Sequence, residues 1–320
     1  MQTADKELYF YISFYCFSPN QERDALVTTS IKGGTPSLLI KTKGIRIMRD
    51  GIFIWEAHRG GGGGYEMPES CKLSFEYGWL HGGRPEADVN LTSDNVMVSL
   101  HDPNLNRIAR NLPEQYKDKP ITEISWAELQ TIDIGWEQYP NQHVVSMEEL
   151  FIQLQKDPTR NMVIDYKRVP IPMLADLIKQ YNVGRQITFA CHNRALLREI
   201  KGLVPEIRTK NWLGGTPQQI MDKFHTVQSE GFEGITEVQL HLNGLNIELP
   251  LGGWRYDLPQ PFVADALTAT KHCGILLQTL PWKFEREDIF AILDLGVRSF
   301  AVDYPHKFTM ACAEYFGNRW

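Results

Sequence analysis

Residues 51–60, GIFIWEAHRG, begin with an apolar run and end with a histidine, an arginine and the first of five consecutive glycines. An apolar run of this length, bounded by glycines, predicts a buried strand with His58 and Arg59 at its carboxyl end. From residue 52 onward, strand-like runs alternate with helix-like runs. Such alternation is typical of parallel βα units, so the segment is predicted to be the first strand of a parallel sheet or barrel.

The alternation continues to the end of the chain. The predicted strands span residues 52–57, 84–89, 161–166, 185–190, 206–210, 234–239, 274–278 and 299–303. The predicted helices span residues 69–80, 146–156, 171–181, 193–203, 216–230, 260–272 and 285–296. Eight strands favour a closed α/β barrel, the (β/α)8 TIM barrel, over an open sheet, and 320 residues are enough to build one with insertions.

A β-hairpin is predicted directly after the second strand. Glu86 and Asp88 are two positions apart, so they lie on the same face of that strand. The polar residues around Asp94 predict a turn near Asp94-Asn95, followed by a returning arm at 96–101. Counting back from this turn places His101 roughly opposite Asp88. The hairpin alone therefore predicts an imidazole beside a carboxylate pair.

Two segments lie outside the alternating pattern. Residues 103–142 form a long, polar, tryptophan-containing insertion, and such excursions often act as lids or substrate walls. Residues 1–50 are predicted to form a short N-terminal β extension, with the barrel domain at 51–320. The apolar run at 8–17 is only about half of the ~20 residues that a membrane helix requires, so no transmembrane segment is expected.

The composition limits the partners and the compartment. A net charge of −6 argues against a nucleic acid partner, because proteins that bind the phosphate backbone are usually basic. The five cysteines are scattered and odd in number, which predicts neither a disulfide framework nor a metal-binding cysteine motif. The N-terminus carries more acid than base, unlike a signal peptide, so a cytoplasmic location is slightly favoured over a secreted or periplasmic one. The oligomeric state is not indicated.

The barrel prediction brings a set of carboxylates together. Active sites of such barrels lie at the carboxyl ends of the strands. Glu86, Asp88 and Asp165 are all predicted at that edge. They offer hard oxygen ligands, which suit one divalent cation, Mg²⁺ or Ca²⁺, rather than zinc. The sequence therefore predicts a metal site at this edge of the barrel.

Charged and proton-carrying side chains are predicted at the same edge. Cleavage of a phosphodiester requires neutralised phosphate charge, an activated nucleophile and a protonated leaving group. Arg59 and Lys167 would bind the phosphate, the former as a planar fork and the latter as a point charge. His58 and His101 would act as base and acid, in an order that the sequence does not fix. A small-molecule phosphodiester is therefore the expected substrate.

The glycine run at 60–64 allows two interpretations. Glycine amides can approach an anion closely, as in a phosphate-cradling loop. The run lacks the Lys-Ser/Thr of a nucleotide-binding loop, so a flexible connector that lets His58 and Arg59 reach the edge of the barrel is the favoured interpretation. Glu69, shortly after, is predicted to begin a helix, where its charge suits the positive end of the helix dipole.

Four short motifs in order, AHRG, PES, EADV and LHD, resemble those of the glycerophosphodiester phosphodiesterase family. The similarity spans about residues 52–305. It includes VIDYK at 163–167, where the family usually has Glu-x-Lys, and AVDYP at 301–305, where it usually has Thr-Asp-x-Pro. The resemblance implies a TIM barrel enzyme, a phosphoric diester hydrolase that is expected to convert deacylated phospholipids to glycerol 3-phosphate and an alcohol with one divalent cation.

One departure from the family pattern concerns the substrate wall. The family often has Trp-Thr-Val-Asn near the seventh strand, whereas this chain has QTLPW at 278–282. The resemblance therefore implies that the aromatic wall is absent or supplied by Trp282, which is a predicted substrate-binding residue. Trp136, Trp212 and Trp254 are further candidates.

Two alternative functions remain. One is a phospholipase D-like lyase that acts on lysolipids or sphingolipids and releases a cyclic phosphate, because an Asp-x-Lys strand such as 165–167 also occurs there. The His58-Arg59 pair and the long insertion favour the hydrolase. The other is a noncatalytic barrel that binds a phosphorylated ligand. A binder needs charge but not two proton carriers, so the two histidines argue against it.

Overall fold

The computed structural model describes residues 41–42, 45–48, 51–247 and 249–317. Its strands, β1 to β11, are Lys41–Thr42, Ile45–Met48, Gly51–Ala57, Arg84–Leu91, Met97–Ser99, Met162–Tyr166, Ile187–Cys191, Arg208–Leu213, Glu237–Leu242, Leu276–Pro281 and Ser299–Val302. Its α-helices, α1 to α9, are Lys72–Leu80, Trp126–Leu129, Met147–Lys156, Ile171–Tyr181, Arg194–Leu203, Pro217–Ser229, Gln260–His272, Arg286–Asp294 and Pro305–Phe316.

Eight of these strands form a closed parallel barrel. The barrel strands are β3, β4 and β6 to β11, and each pairs with the next in parallel. The last strand, β11, pairs with the first, β3, from Ser299↔Ile54 to Val302↔Ala57, and this pairing closes the barrel. Helices connect the strands on the outside. The predicted (β/α)8 TIM barrel is therefore confirmed.

The alternation of side chains along each strand separates the core from the barrel interior. On β3, Phe53 and Trp55 point outward and pack against Phe308 of α9. Glu56 points inward, where it is buried and pairs with the equally buried Lys210. Because successive strand residues point to opposite faces, an apolar outer layer and a polar interior follow from the same strands.

Helix α9 and the short α2 were not predicted from the sequence. The predicted helices end before the last strand, but Pro305 follows that strand and occupies the first turn of α9. Proline suits this position because its missing amide hydrogen has no partner there in any case. The other seven helices lie where they were predicted, and α3 and α6 begin with capping boxes at Ser146 and Thr216.

The predicted hairpin is present, but its register differs by one residue. Strand β5 returns antiparallel to β4 with Val89 opposite Ser99. Leu100, not His101, is aligned with Asp88, because the Leu100 amide donates to the Asp88 carbonyl at 2.8 Å. The reason is a three-residue turn, closed by the Thr92 amide donating to the Val96 carbonyl, with the third residue in the left-handed region. A two-residue turn would have aligned Asp88 with His101.

The insertion at 103–142 folds as a compact unit on the hairpin. It contains two 3-10 turns, Glu114–Tyr116 and Ile121–Glu123, and helix α2. A second hydrophobic cluster lies beneath it, with buried side chains from the hairpin and from the insertion. Its members include Val98, Leu100, Leu105, Ile121, Ile124, Leu129, Ile132 and Ile134. The insertion is therefore packed against the barrel domain by its own core.

The N-terminal extension is described only in part. Strands β1 and β2 pair antiparallel with each other, and β2 pairs antiparallel with β3 at the edge of the barrel. The rest of the predicted extension, residues 1–40, 43–44 and 49–50, lies outside the described residues, so the boundary near residue 50 stays a prediction. None of the helices in the described part of the chain is long and apolar enough to span a membrane.

Candidate active site

The barrel strands deliver five ionisable side chains to one end of the barrel, which we call the rim. The rim comprises the carboxyl ends of the barrel strands and the loops that follow them. Parallel pairing of β4 with β6 extends from Glu86↔Val163 to Val89↔Tyr166, and β4 then leaves the barrel to form the hairpin. The predicted residues at the rim are His58, Glu86, Asp88, Asp165 and Lys167.

Three carboxylates form a buried acidic triad at the rim. Glu86, Asp88 and Asp165 each place one oxygen within 4.8 Å of the others. All three residues are buried, with Asp88 only 1% exposed. The Oδ2 atom of Asp88 is buried and receives no hydrogen bond from any described residue. A buried carboxylate oxygen without a donor is unfavourable unless a cation compensates it, so the triad could hold a hard divalent cation.

Lys167 lies next to two members of the triad. Its Nζ atom is 2.5 Å from Oδ2 of Asp165 and 2.9 Å from Oδ1 of Asp88. The indole of Trp212 donates to Oδ1 of Asp165 at 3.0 Å. Burial alone would raise the pKa of Asp88, but the charge of Lys167, followed by those of His101 and His58, lowers it. The lysine and the carboxylates therefore form one charge cluster.

His58 is held between two carboxylates. Its Nδ1 atom lies 2.6 Å from Oδ1 of Asp303, and its Nε2 atom lies 3.7 Å from Oε2 of Glu86. Burial by itself disfavours the protonated ring, but Glu86 and Asp303 outweigh it and raise the pKa of His58 to about 9. From the sequence, Asp303 was noted only as part of the AVDYP motif at 301–305. Its pairing with His58 depends on the closure of the barrel.

Arg59 is tied to a buried glutamate that was expected to have a different role. Glu69 was predicted to begin a helix, but α1 starts at Lys72 with Cys71 as its N-cap. Glu69 instead accepts a hydrogen bond from Nη1 of Arg59 at 3.2 Å. Ser70, which has a positive φ of 60°, turns the chain just before the helix. The prediction for Glu69 was therefore wrong, because its charge is used to pair with an arginine.

The glycine run forms a defined turn rather than a flexible connector. The amides of Gly62 and Gly63 both donate to the carbonyl of His58, at 2.8 and 2.7 Å. A Cβ atom on Gly63 would lie 2.5 Å from Oδ1 of Asp303. Gly63 also has a φ of +60°, a conformation that other residues rarely adopt. Glycine is required here so that the turn can pass close to the His58–Asp303 pair.

His101 extends from the returning arm of the hairpin and contacts a carboxylate. Its Nδ1 atom lies 2.8 Å from Oδ1 of Asp102, the next residue. Oδ2 of Asp102 accepts from Nε of Arg107 at 2.6 Å. Arg107 also donates to both oxygens of Glu69, at 2.8 and 2.7 Å. These contacts connect His101 with Arg59 through Asp102, Arg107 and Glu69.

Aromatic rings line another part of the rim. Trp212 is stacked on His241, with 5.5 Å between the ring centroids, and Trp282 contacts His241 edge-on at 5.3 Å. Trp282 is 43% exposed, so it lies at the mouth of the barrel. Burial lowers the pKa of His241 to about 4, which keeps the ring neutral near neutral pH. Trp254 hydrogen-bonds to the Leu258 carbonyl and does not contact this group.

A cavity of about 410 Å³ lies between the insertion and the glycine turn. The turn contributes Gly64, and the buried Glu69 forms part of the wall. The insertion contributes Arg107, Trp136 and Glu137. The cavity is therefore lined by four charged side chains and by apolar residues, and it adjoins the residues that hold Arg59 and His101. The charged residues are Glu69, Arg107, Arg110 and Glu137, and the apolar residues include Ile108, Ile134 and Trp136.

A family model described as the glycerophosphoryl diester phosphodiesterase family matches residues 58–307. The chain belongs to this family. The resemblance noted from the short motifs is therefore confirmed, and with it the expected enzyme class, a phosphoric diester hydrolase. The match includes the rim residues from His58 onward and the whole insertion.

Members of the glycerophosphoryl diester phosphodiesterase family with known structures share the fold. A glycerophosphoryl diester phosphodiesterase from Parabacteroides distasonis is 20% identical, with a TM-score of 0.61 over 83% of this chain and 88% of that chain. A phosphodiesterase from Oleispira antarctica, solved with the product sn-glycerol-3-phosphate, is 18% identical, with a TM-score of 0.60 over 81% and 96%. YqiK of Bacillus subtilis (strain 168), itself uncharacterized, is 25% identical over 260 residues, which are 78% of this chain and 95% of YqiK.

Proposed function

We propose that this family member hydrolyses a glycerophosphodiester to glycerol 3-phosphate and an alcohol, using a divalent cation and two histidines. The observation that carries the proposal is the buried acidic triad, whose oxygens lie within 4.8 Å of one another beside His58. The complex of the Oleispira antarctica phosphodiesterase with sn-glycerol-3-phosphate supports the choice of product.

Glu86, Asp88 and Asp165 are the residues that would hold the cation. Their oxygens suit Mg²⁺ or Ca²⁺, and the undonated Oδ2 of Asp88 is the strongest sign of such a site. A bound divalent cation would neutralise charge on the nonbridging oxygens of the phosphate. The choice between Mg²⁺ and Ca²⁺ is left to experiment.

Arg59 and Lys167 would bind the phosphate. The Nε–H group of Arg59 is buried and has no acceptor among the described residues, while Nη1 is held by Glu69. A buried donor without an acceptor is unfavourable, and a phosphate oxygen would satisfy it. Lys167 supplies a second positive charge on the other side of the triad.

His58 and His101 would carry the protons. In each histidine a carboxylate contacts Nδ1, Asp303 in the first and Asp102 in the second. The Nε2 atoms are therefore left to exchange a proton with the substrate. One histidine would take a proton from water or from the neighbouring glycerol hydroxyl, and the other would protonate the departing alkoxide. If the glycerol hydroxyl attacks, the cyclic phosphate formed first would then be hydrolysed by water to glycerol 3-phosphate.

The cavity beside the rim supports a polar alcohol group in the substrate. The four charged side chains in its lining, among them Glu137 and Arg107, suit a head-group alcohol better than an acyl chain. A deacylated phospholipid is therefore the proposed substrate, and Trp282 at the barrel mouth would contact its exposed end. The lyase with a cyclic product remains the second candidate, because Lys167 pairs with the shorter Asp165 as in an Asp-x-Lys strand.

Product analysis by phosphorus NMR tests the proposal. The purified protein is incubated with glycerophosphocholine or lysophosphatidylcholine, each with Mg²⁺, Ca²⁺ or EDTA. Glycerol 3-phosphate from glycerophosphocholine, formed only with a divalent cation, is the expected result. His58→Ala should abolish it, whereas His225→Ala, on the exposed outside of α6, should not.

Two outcomes would change the assignment. A cyclic phosphate as the final product would support the lyase. No turnover of either substrate would contradict the proposed substrate class and would favour a barrel that only binds a phosphorylated ligand.

A further inference from the structure

We infer that Arg107, supplied by the insertion, is a positioning residue that aligns both Arg59 and His101. The inference rests on the roles proposed above for those two residues. It gives the insertion a part in the chemistry in addition to its contribution to the cavity wall. All of the contacts involved lie within the described residues.

Arg107 forms an ion pair with the buried Glu69. Nη1 and Nη2 of Arg107 donate to the two oxygens of Glu69 at 2.8 and 2.7 Å, which is the two-pronged geometry of a strong arginine–carboxylate pair. The Glu69 side chain is only 3% exposed, and it also accepts from Arg59. Because Glu69 is shared, the orientation of one guanidinium constrains that of the other.

Arg107 also forms an ion pair with Asp102. Nε of Arg107 donates to Oδ2 of Asp102 at 2.6 Å, and Oδ1 of Asp102 lies 2.8 Å from Nδ1 of His101. The arginine therefore fixes the carboxylate that orients the histidine ring. Arg59 and His101 come from different strands, and this chain of ion pairs is a direct route between them.

Arg107 is better suited to positioning than to binding the phosphate. Each of its three nitrogens already donates to a carboxylate oxygen, in contrast to Arg59, whose Nε–H group is free among the described residues. Its place is set by the insertion, where Leu105, two residues earlier, is fully buried in the second hydrophobic cluster. The insertion thus anchors the backbone next to Arg107, whose side chain is half-exposed.

Arg160 provides a matched control for the experiment. It also forms a two-pronged pair with a glutamate, Glu76, at 2.7 Å for both contacts, and its Nε lies 3.6 Å from Asp157. It precedes β6, so it lies at the end of the barrel opposite the rim. The variants to compare are Arg107→Met, Arg107→Lys and Arg160→Met, each measured for melting temperature, kcat and KM on glycerophosphocholine.

The expected results separate positioning from general stability. Arg107→Met should lower kcat by about 10- to 100-fold, because small misplacements of reacting groups cost this much, with a smaller change in KM. Arg107→Lys keeps the positive charge but lacks the planar guanidinium, so its kcat should be closer to that of Arg107→Met than to that of the wild type. Arg160→Met should lower the melting temperature at least as much but leave kcat unchanged.

A double variant tests whether Arg107 acts through Asp102. If it does, Arg107→Met combined with Asp102→Asn should lower kcat by less than the product of the two single fold-losses, since residues in one network are not additive. Equal kcat losses in Arg107→Met and Arg160→Met would overturn the inference, as would fully additive losses in the double variant.

A measurement without turnover separates this inference from the proposed function. The imidazole proton signals of His101, assigned with His101→Gln, should shift in Arg107→Met and not in Arg160→Met. If the wild type hydrolyses no diester but the signals shift, the proposed function fails and the positioning contact stands. If the signals do not shift, the positioning role is overturned whatever the activity.

Discussion

Oδ1 of Asp303 lies 2.6 Å from Nδ1 of His58, although the two residues are 245 positions apart in the chain. They become neighbours because β11 pairs with β3 and closes the barrel. The contact determines which ring nitrogen is left for chemistry, since Nε2 then faces Glu86 at 3.7 Å. Barrel closure and the proposed proton transfer therefore depend on the same pairing.

Replacing Asp303 with asparagine is expected to lower kcat by about 10²- to 10⁴-fold, the range found when the orienting carboxylate of a histidine is removed. The amide keeps the shape but loses the charge that favours the correct proton position on His58. Asp294→Asn is the control, because Asp294 is exposed on α8 and bonds to the hydroxyl of Tyr315. A kcat near the wild-type value in Asp303→Asn would contradict the orienting role.

Gly63 and Gly231 offer a matched test of the glycine turn. Both are in the left-handed region, with φ of +60° and +66°, so alanine at either position should cost about 1 kcal/mol of stability. Only at Gly63 would the new Cβ atom collide with Asp303, and nothing lies within 4 Å of a Cβ atom on Gly231. Urea unfolding should thus give a loss of about 1 kcal/mol in Gly231→Ala and a larger loss in Gly63→Ala, where the collision adds to the backbone strain, and kcat should fall only in Gly63→Ala. An unchanged kcat in both variants would mean that the turn does not hold the His58–Asp303 pair in place.

Local patterns in the sequence were sufficient to predict much of the rim. Glu86 and Asp88 share a face because they are two positions apart on a strand, and this holds in any fold that contains the strand. The position of Asp165 beside them followed from one further rule, that parallel barrel strands end at the same edge. Predictions of this kind depend on period and topology, and the structure agrees with them.

The contacts that the sequence could not predict are those fixed by tertiary packing. The one-residue error at His101 arose because the turn has three residues and not two. The choice between the two turns depends on the backbone conformation, which the sequence does not give. The link between Glu69 and Arg107 joins residues from the glycine turn and the insertion, and no spacing rule relates the two segments. Only the second hydrophobic cluster places the insertion where Arg107 can reach Glu69.

Metal binding can be tested independently of turnover. Addition of Mg²⁺ or Ca²⁺ should raise the melting temperature of the wild type, because a ligand that binds only the folded state stabilises it. Asp88→Asn removes a buried ligand oxygen and should abolish the increase, whereas Asp294→Asn should retain it. Differential scanning calorimetry over a range of metal concentrations gives the comparison. No metal-dependent increase in the wild type would contradict the proposed site.

The final prediction concerns the buried ion pair beneath the rim. Glu237 accepts from Nη1 and Nη2 of Arg84 at 2.7 and 2.9 Å inside the barrel, and Arg84 is completely buried. Burial alone would raise the pKa of Glu237, but Arg84 outweighs it and lowers the pKa to about 2. A carboxylate whose pKa is depressed on folding stabilises the protein above its ordinary pKa and loses that contribution as the pH falls through the folded value.

Glu237→Gln should therefore destabilise the protein by about 3 to 5 kcal/mol near neutral pH, because it leaves the charge of Arg84 buried without a partner. The difference in free energy of unfolding between the variant and the wild type should shrink as the pH falls from the ordinary pKa of 4.5 to the folded value of about 2, because Glu237 of the wild type becomes protonated over this range. Urea unfolding at pH 7 and pH 3 measures the loss of stability at neutral pH and its decrease in acid. The pair at Glu114 and Lys117 is exposed, so Glu114→Gln should leave stability unchanged at either pH. An equal loss at pH 7 and pH 3 in Glu237→Gln would show that the ion pair is not the source of acid sensitivity.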